Sequence, residues 1–279
     1  MQPSIQKRTS RSILTKGSGF LNGYSHTLNP YAGCAFGCSY CYVRRMPIAL
    51  FREEDWGEWV DIKENAVDLV KKEIPKARKK GEVSIFMSSS TDPYQPIEFK
   101  TDLTRGLLKA MVEEMPDFLF LQTRSPLVTR DIDLLKKFGK KVLVSMTVET
   151  DLDSVRKIFA PSAPPIAGRL KALQTLRENG IPVQAAVAPL LPCSEHFPKK
   201  LAEVTDRLTL DDFFMGDGSG GKRTEQLGIR KLFEEAGLED WYQRKAYLKI
   251  KKRLQAFFPD SAIYISQEGF SPPEEGEYK

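Results

Sequence analysis

Apolar positions along this chain fall into two alternating rhythms. Over residues 65–80, Ala66, Leu69, Val70 and Ile74 recur at three- and four-residue spacing with basic residues opposite, which predicts a helix ended by Gly81. Residues 83–87 then form a largely apolar run, the pattern of a strand buried on both faces. The unit repeats. Residues 101–115 predict a second helix, with Leu103, Leu107, Leu108 and Met111 on one side, and 118–121 a second strand. Further helices are expected at 131–138 (closed by Gly139), 165–179 (closed by Gly180), 201–208 and 242–257. Strands are expected at 142–148, 183–188 and 262–265, with a weaker one at 213–215.

Strands alternating with helices imply parallel pairing through crossovers. About six such units predict an α/β fold, a full or partial β/α barrel, in preference to a Rossmann sheet. No GxGxxG follows the first of these strands. The glycine-rich 216–221 lacks the Gly-Lys-Ser/Thr ending of a phosphate loop and reads as a surface loop. No repeat or linker divides the sequence, so one domain over 1–279 is expected, with a Pro- and Glu-rich tail from 271 that frays.

Composition adds little to this picture. A hydrophobic share of 41% is that of an ordinary globular protein and excludes wholesale disorder. The net charge of +5 identifies no polyanion partner by itself. Its placement says more: residues 1–50 contain no Asp or Glu, while Lys7, Arg8, Arg11, Lys16, Arg44 and Arg45 form a basic N-terminal arm. That arm is either a solvated surface or a phosphate-facing one. No charged-then-apolar leader opens the chain, and the most apolar run, 183–191, is too short to cross a bilayer. A soluble, cytoplasmic protein is expected.

The chemistry concentrates in the stretch GCAFGCSYCYVRR, which holds Cys34, Cys38 and Cys41, three of the four cysteines. Such clustering is not a disulfide framework; in a reducing compartment it points to metal or redox chemistry. Three readings follow from the residues. A zinc site needs a fourth ligand, from Cys193, His196 or His26. A redox pair of Cys38 and Cys41 gives Cys34 no part. An iron–sulfur cluster held by three thiolates leaves one iron open to a ligand.

The order C-x3-C-x2-C, with Tyr40 before the third cysteine, resembles the signature of the radical S-adenosylmethionine superfamily. NPYAGCAFGCSYCYVR, SSSTDPYQPIE, TRSPLVTRDIDLL, VSMTVET, APSAPPIAGRLKAL, VAPLLP and FFPDSAIYIS are similar to its spore photoproduct lyase-like (DNA repair photolyase-like) branch, a resemblance that implies a family core over 13–270. The resemblance implies a 4Fe-4S cluster on Cys34, Cys38 and Cys41, with S-adenosylmethionine at the open iron. It implies reductive cleavage of that cofactor, giving a 5′-deoxyadenosyl radical that abstracts a substrate hydrogen. Carried over residue by residue, it puts Thr91 and Asp92 near the methionine amino group and Arg124 opposite the methionine carboxylate. Thr147 and Glu149 fall on the ribose hydroxyls, Ala188 meets adenine through its backbone, and Tyr40 shields the cluster. It also implies a flavodoxin- or ferredoxin-like electron donor and a nucleic acid among the candidate substrates. On the residues alone, SSSTDPYQP also reads as a capped turn and Arg124 as a surface arginine.

One departure limits what carries over. Spore photoproduct lyase uses a cysteine before the corresponding turn as its hydrogen-atom donor, and residues 88–92 here contain none. Cys193, after the strand expected at 183–188, either reaches the barrel mouth as a donor or is a small buried hydrophobe. A rival of another class is a nucleic-acid-binding module with a structural metal, using the basic arm and the 242–257 helix.

Overall fold

The computed structural model describes residues 3–216 and 219–273. Residues 217–218 of the glycine-rich loop and 274–279 of the tail lie outside the described residues, so those two expectations fall partly beyond it. The chain begins with strands β1 (Ser4–Arg8), β2 (Leu14–Lys16), β3 (His26–Leu28) and β4 (Tyr31–Ala32). A short helix α1 (Pro47–Leu50) and β5 (Trp59–Lys63) follow. The alternating part runs α2 (Ala66–Arg78), β6 (Ser84–Met87), α3 (Glu98–Thr101), α4 (Leu103–Glu113), β7 (Phe118–Thr123), α5 (Ile132–Phe138) and β8 (Val142–Thr147). It continues with α6 (Asp153–Phe159), α7 (Ile166–Glu178), β9 (Val183–Val187), α8 (Phe197–Ala202) and β10 (Leu208–Leu210). Helices α9 (Lys222–Gln226), α10 (Ile229–Glu235) and α11 (Ala246–Leu254) precede the last strand, β11 (Ile263–Ile265).

The larger sheet has the order β11-β10-β9-β8-β7-β6-β3-β2. All neighbours in it pair in parallel except β2, which is antiparallel to β3. The two edges, β2 and β11, do not pair, and the architecture is a partial β/α barrel with a mixed sheet. The gap is covered where a turn at Ser266–Phe270 meets another at Gly19–Leu21: Gln267 Nε2 donates to Phe20 O at 2.8 Å, and the Phe20 and Phe270 rings lie 5.8 Å apart. A smaller sheet, β1-β5-β4, flanks the barrel.

The strands read as continuous apolar runs because both faces are covered. Ile85, Leu119, Leu121 and Val144 pack outward on Val70, Leu107 and Leu173 of the helices, all fully buried. Each such side chain contributes about 1.5–3 kcal/mol of hydrophobic stabilisation. The alternate positions form a separate inner layer of Phe86, Phe120, Leu143 and Tyr24, with the Phe86 and Phe120 rings stacked at 4.8 Å. Nearer the C-terminal strand ends this layer turns polar: Gln122 pairs in register with Ser145, and Ser145 with Gln184. Gln122 Nε2 donates to Thr147 Oγ1 at 2.7 Å, and Gln184 Nε2 to Ser145 Oγ at 3.2 Å.

The C-terminal third departs most from expectation. The helix expected at 201–208 ends at Ala202, and its last residue starts β10, a strand of three residues paired on both sides. The strand expected at 213–215 is unpaired; Phe213 is drawn into an aromatic cluster with Phe233 and Tyr242, at 5.5 and 5.4 Å. The helix expected from 242 begins at Ala246, because Lys245 adopts a left-handed φ of 68°. Likewise Asp102, at φ 50°, divides the helix expected at 101–115 into α3 and α4. The basic arm is not a free arm: β1 pairs in parallel with β5. No helix among the described residues is long and apolar enough to cross a membrane.

Candidate active site

The cysteine loop leaves β4 at Gly33, whose φ is +79°. A Cβ there would stand 2.4 Å from the Trp59 carbonyl oxygen, so only glycine allows the loop this close to β5. The loop is then tied down from two sides. Gln95, after β6, donates to Gly33 O at 3.3 Å and accepts from the Ala35 amide at 2.9 Å. Ser39 donates through both its amide and its hydroxyl to Phe159 O, each at 2.9 Å. Backbone bonds from Gly37 to Cys34 O and from Cys41 to Cys38 O coil the segment between.

This winding brings Cys34, Cys38 and Cys41 to one cavity of about 660 Å³ at the C-terminal ends of the strands. That volume lies within the usual range of small-molecule sites, and strand C-terminal ends are where barrels build them. Thr91, Asp92, Arg124, Thr147, Ala188 and Tyr40 line the same cavity. Burial pushes all three thiols up, Cys41 to about 12, and Asp92 and the neighbouring cysteines add to the effect at Cys34. As thiolates they therefore call for positive charge close by.

At the end of β6, Thr91 Oγ1 donates to Gly33 O at 2.6 Å, joining this strand end to the cysteine loop. The Asp92 carboxylate accepts from Thr123 Oγ1 at 2.7 Å, the Arg124 amide at 2.8 Å and the Tyr94 amide at 2.9 Å. Burial raises its pKa, and these bonds oppose the rise. The Arg124 guanidinium turns to Glu149 Oε1 at 2.7 Å and Tyr40 OH at 2.9 Å. Tyr40 OH in turn donates to Glu149. Glu149 is buried behind the cavity and does not line it.

The other oxygen of Glu149 accepts from Arg169 Nη1 at 2.6 Å, an arginine with no measurable exposure. Arg169 was not among the residues singled out from the sequence. Its signal was available: with Ile166, Leu173 and Leu176 it lies on the apolar stripe of α7, where a charge demands a partner. Burial would raise the Glu149 carboxyl, but Arg169, Arg124 and the Tyr40 bond outweigh it and hold it down at about 2. Gln95, fixed against Thr91 Oγ1 at 3.1 Å, was also missed.

Cys193 is 7% exposed, packs into the main apolar core and is not among the residues lining the cavity. His196 is exposed, and His26 sits at the start of β3 beside Ser25. Among the described residues no three His, Cys, Asp or Glu side chains gather tightly enough to hold a single metal ion.

Residues 28–193, which span this loop and the strand ends facing it, match the sequence profile of the Radical SAM superfamily. The chain belongs to that superfamily. This radical SAM protein is 38% identical over 170 residues to an uncharacterised protein of Methanocaldococcus jannaschii, covering 61% of this chain and 62% of that one. It is 34% identical over 183 residues to an uncharacterised protein of Acidianus two-tailed virus, covering 63% and 58%. The chain thus spans less than two thirds of either relative. A cysteine-to-serine mutant of spore photoproduct lyase matches with a TM-score of 0.65 and 16% identity, over 94% of this chain and 81% of that one. A cysteine-to-alanine mutant of that enzyme, with dinucleoside spore photoproduct, matches with the same coverage, a TM-score of 0.65 and 18% identity. At such identity the radical SAM protein shares their fold.

Proposed function

We propose that this chain is a radical S-adenosylmethionine enzyme with a 4Fe-4S cluster on Cys34, Cys38 and Cys41. The observation that carries the proposal is the convergence of three buried thiols with Asp92 and Arg124 on one cavity. Two features of the molecule fit these groups. Three thiols carried on one loop and lining one cavity suit a cuboidal cluster that takes one thiolate at each of three corners. Ser88 Oγ and Gln122 Oε1, buried atoms of cavity-lining residues with no hydrogen-bond partner, leave polar groups for a bound ligand to satisfy.

When bound, the cluster and cofactor together supply a 5′-deoxyadenosyl radical that takes a hydrogen atom from substrate. The protein's part is to bind, orient and shelter. Arg124 pairs with the cofactor's carboxylate and Asp92 with its ammonium. Thr147 meets the ribose, the Ala188 backbone meets adenine, and Thr91 holds the cysteine loop against the strand ends. Tyr40 closes the wall around the cysteines, excluding the water that would quench a radical. An electron donor of the flavodoxin or ferredoxin kind fits the reductive step, and a nucleic acid is the substrate class favoured by the likeness to spore photoproduct lyase. Repair of spore photoproduct itself is not proposed: 88–92 hold no thiol and Cys193 lies outside the cavity.

Iron and acid-labile sulfide analysis after anaerobic reconstitution tests the reading. About four of each per chain are expected. Tightly held zinc without sulfide would overturn it in favour of the nucleic-acid-binding module with a structural metal.

A further inference from the structure

The charged wall behind the cavity contains two arginines and one carboxylate. Glu149 is 2% exposed and uses both oxygens: Oε2 accepts from Arg169 at 2.6 Å, and Oε1 from Arg124 at 2.7 Å and from Tyr40. Arg169 lies wholly inside and is fixed by Thr147 O at 3.1 Å and Pro164 O at 3.0 Å as well. Of the three charges only Arg124 lines the cavity. Two cations against one anion leave one positive charge in excess, and it emerges at Arg124. Asp92 lines the cavity beside it, its carboxylate bonded to the Arg124 amide at 2.8 Å. A cation and an anion side by side are the complement of the carboxylate and ammonium of an α-amino acid.

Without Arg169 the balance changes. Glu149 would face Arg124 alone and the pair would be neutral, leaving Asp92 as the net charge beside it; Lys16, Asp211, Asp212 and Arg223 line the cavity too and are the same in both cases. We infer that Arg169 is a positioning residue that neutralises Glu149, leaving Arg124 with an uncompensated charge for the carboxylate of a zwitterionic amino-acid ligand. This rests on the cofactor reading above. Arg169 never touches the ligand; it sets the charge that the ligand meets.

The test compares S-adenosylmethionine with 5′-methylthioadenosine, which keeps the adenosine, has a neutral thioether in place of the sulfonium and lacks the amino-acid end. Dissociation constants are measured by equilibrium dialysis on the anaerobically reconstituted protein. Arg169→Met weakens S-adenosylmethionine about tenfold or more and leaves 5′-methylthioadenosine within about twofold, because the lost term is electrostatic. Arg169→Lys, which keeps the charge, retains most of the affinity. The double variant Glu149→Gln with Arg169→Met removes both buried charges and restores the preference for S-adenosylmethionine, which a purely structural role would not allow. Equal loss of both ligands, no change in either, or failure of the double variant to rescue overturns the role of Arg169. Should Arg169→Met not fold, the double variant decides alone: selectivity near wild type supports the inference, and lost selectivity overturns it. A wild-type protein with no preference for S-adenosylmethionine is a different result, and it overturns the cofactor reading and this inference together.

Discussion

Two buried charge networks in this molecule use the same residue types to opposite ends. One surrounds Asp131, away from the cavity. There Arg105 and Arg130 meet Asp131 at 2.8 and 2.9 Å, Arg130 reaches Glu98 and Asp102, each at 2.6 Å, and Arg105 reaches Asp133 at 2.8 Å. Tyr94 OH donates to Asp131 at 3.0 Å and Tyr31 OH to Glu98 at 2.5 Å. Two cations meet two buried carboxylates, Glu98 and Asp131, while Asp102 and Asp133 lie exposed to solvent, and every buried acid has more than one donor. The other network, at Glu149, also has two arginines and a tyrosine, but only one carboxylate. The first is saturated and clamps β4, α3 and the turn before α5 together. The second carries a charge left over, and that charge lies on the cavity. An unbalanced buried network is where ligand binding is to be sought; a closed one is a joint.

The largest expected effect comes from breaking the joint. Asp131→Ala leaves two partly buried guanidiniums short of a partner and lowers folding stability by about 3–5 kcal/mol, read from the denaturant midpoint. The folded fraction keeps its ligand selectivity; lost selectivity with unchanged stability would reverse the comparison. Next is Arg124→Met, whose cost falls on binding. Glu149 stays paired with Arg169, so stability changes by about 1 kcal/mol, while S-adenosylmethionine affinity falls roughly 30- to 100-fold by dialysis, as loss of a charged hydrogen bond predicts. Tyr40→Phe removes one buried hydroxyl from Glu149, which keeps its two arginines. A loss of about 1 kcal/mol in thermal or chemical unfolding is expected.

The smallest effect concerns pH. Glu149 titrates at about 2 in the folded protein against 4.5 ordinarily. Its contribution to stability is therefore fully present above 4.5 and is lost as pH falls toward 2. The stability difference between wild type and Glu149→Gln stays constant from pH 9 to pH 5 and shrinks only below about 4.5. A difference that changes near neutrality would mean that Glu149 is not held by two cations.

What the sequence made legible follows the reach of each signal. β6, β7, β8 and β9, with α2, α4 and α7, carry enough residues of one period to announce themselves, and their boundaries shift by only a few residues. β10, with three residues, has no period to read, and its neighbour Phe213 owes its place to Phe233 and Tyr242. β1 is exposed along its whole length and is a strand only because β5 pairs with it from afar. The site divides in the same way. The cysteine spacing is local and visible, as are the polar residues at the ends of β6, β7 and β8. The placement of Glu149 behind the wall, between Arg124 and Arg169, depends on a helix packed from elsewhere and could not be read from β8 alone.

The central claim is that Cys34, Cys38 and Cys41 hold a cluster that drives cleavage of S-adenosylmethionine. Release of 5′-deoxyadenosine by the anaerobically reconstituted protein under a strong reductant measures it directly. The account predicts release by wild type and none by Cys38→Ala. Equal release by both, or none from wild-type protein carrying its full iron and sulfide, would contradict it.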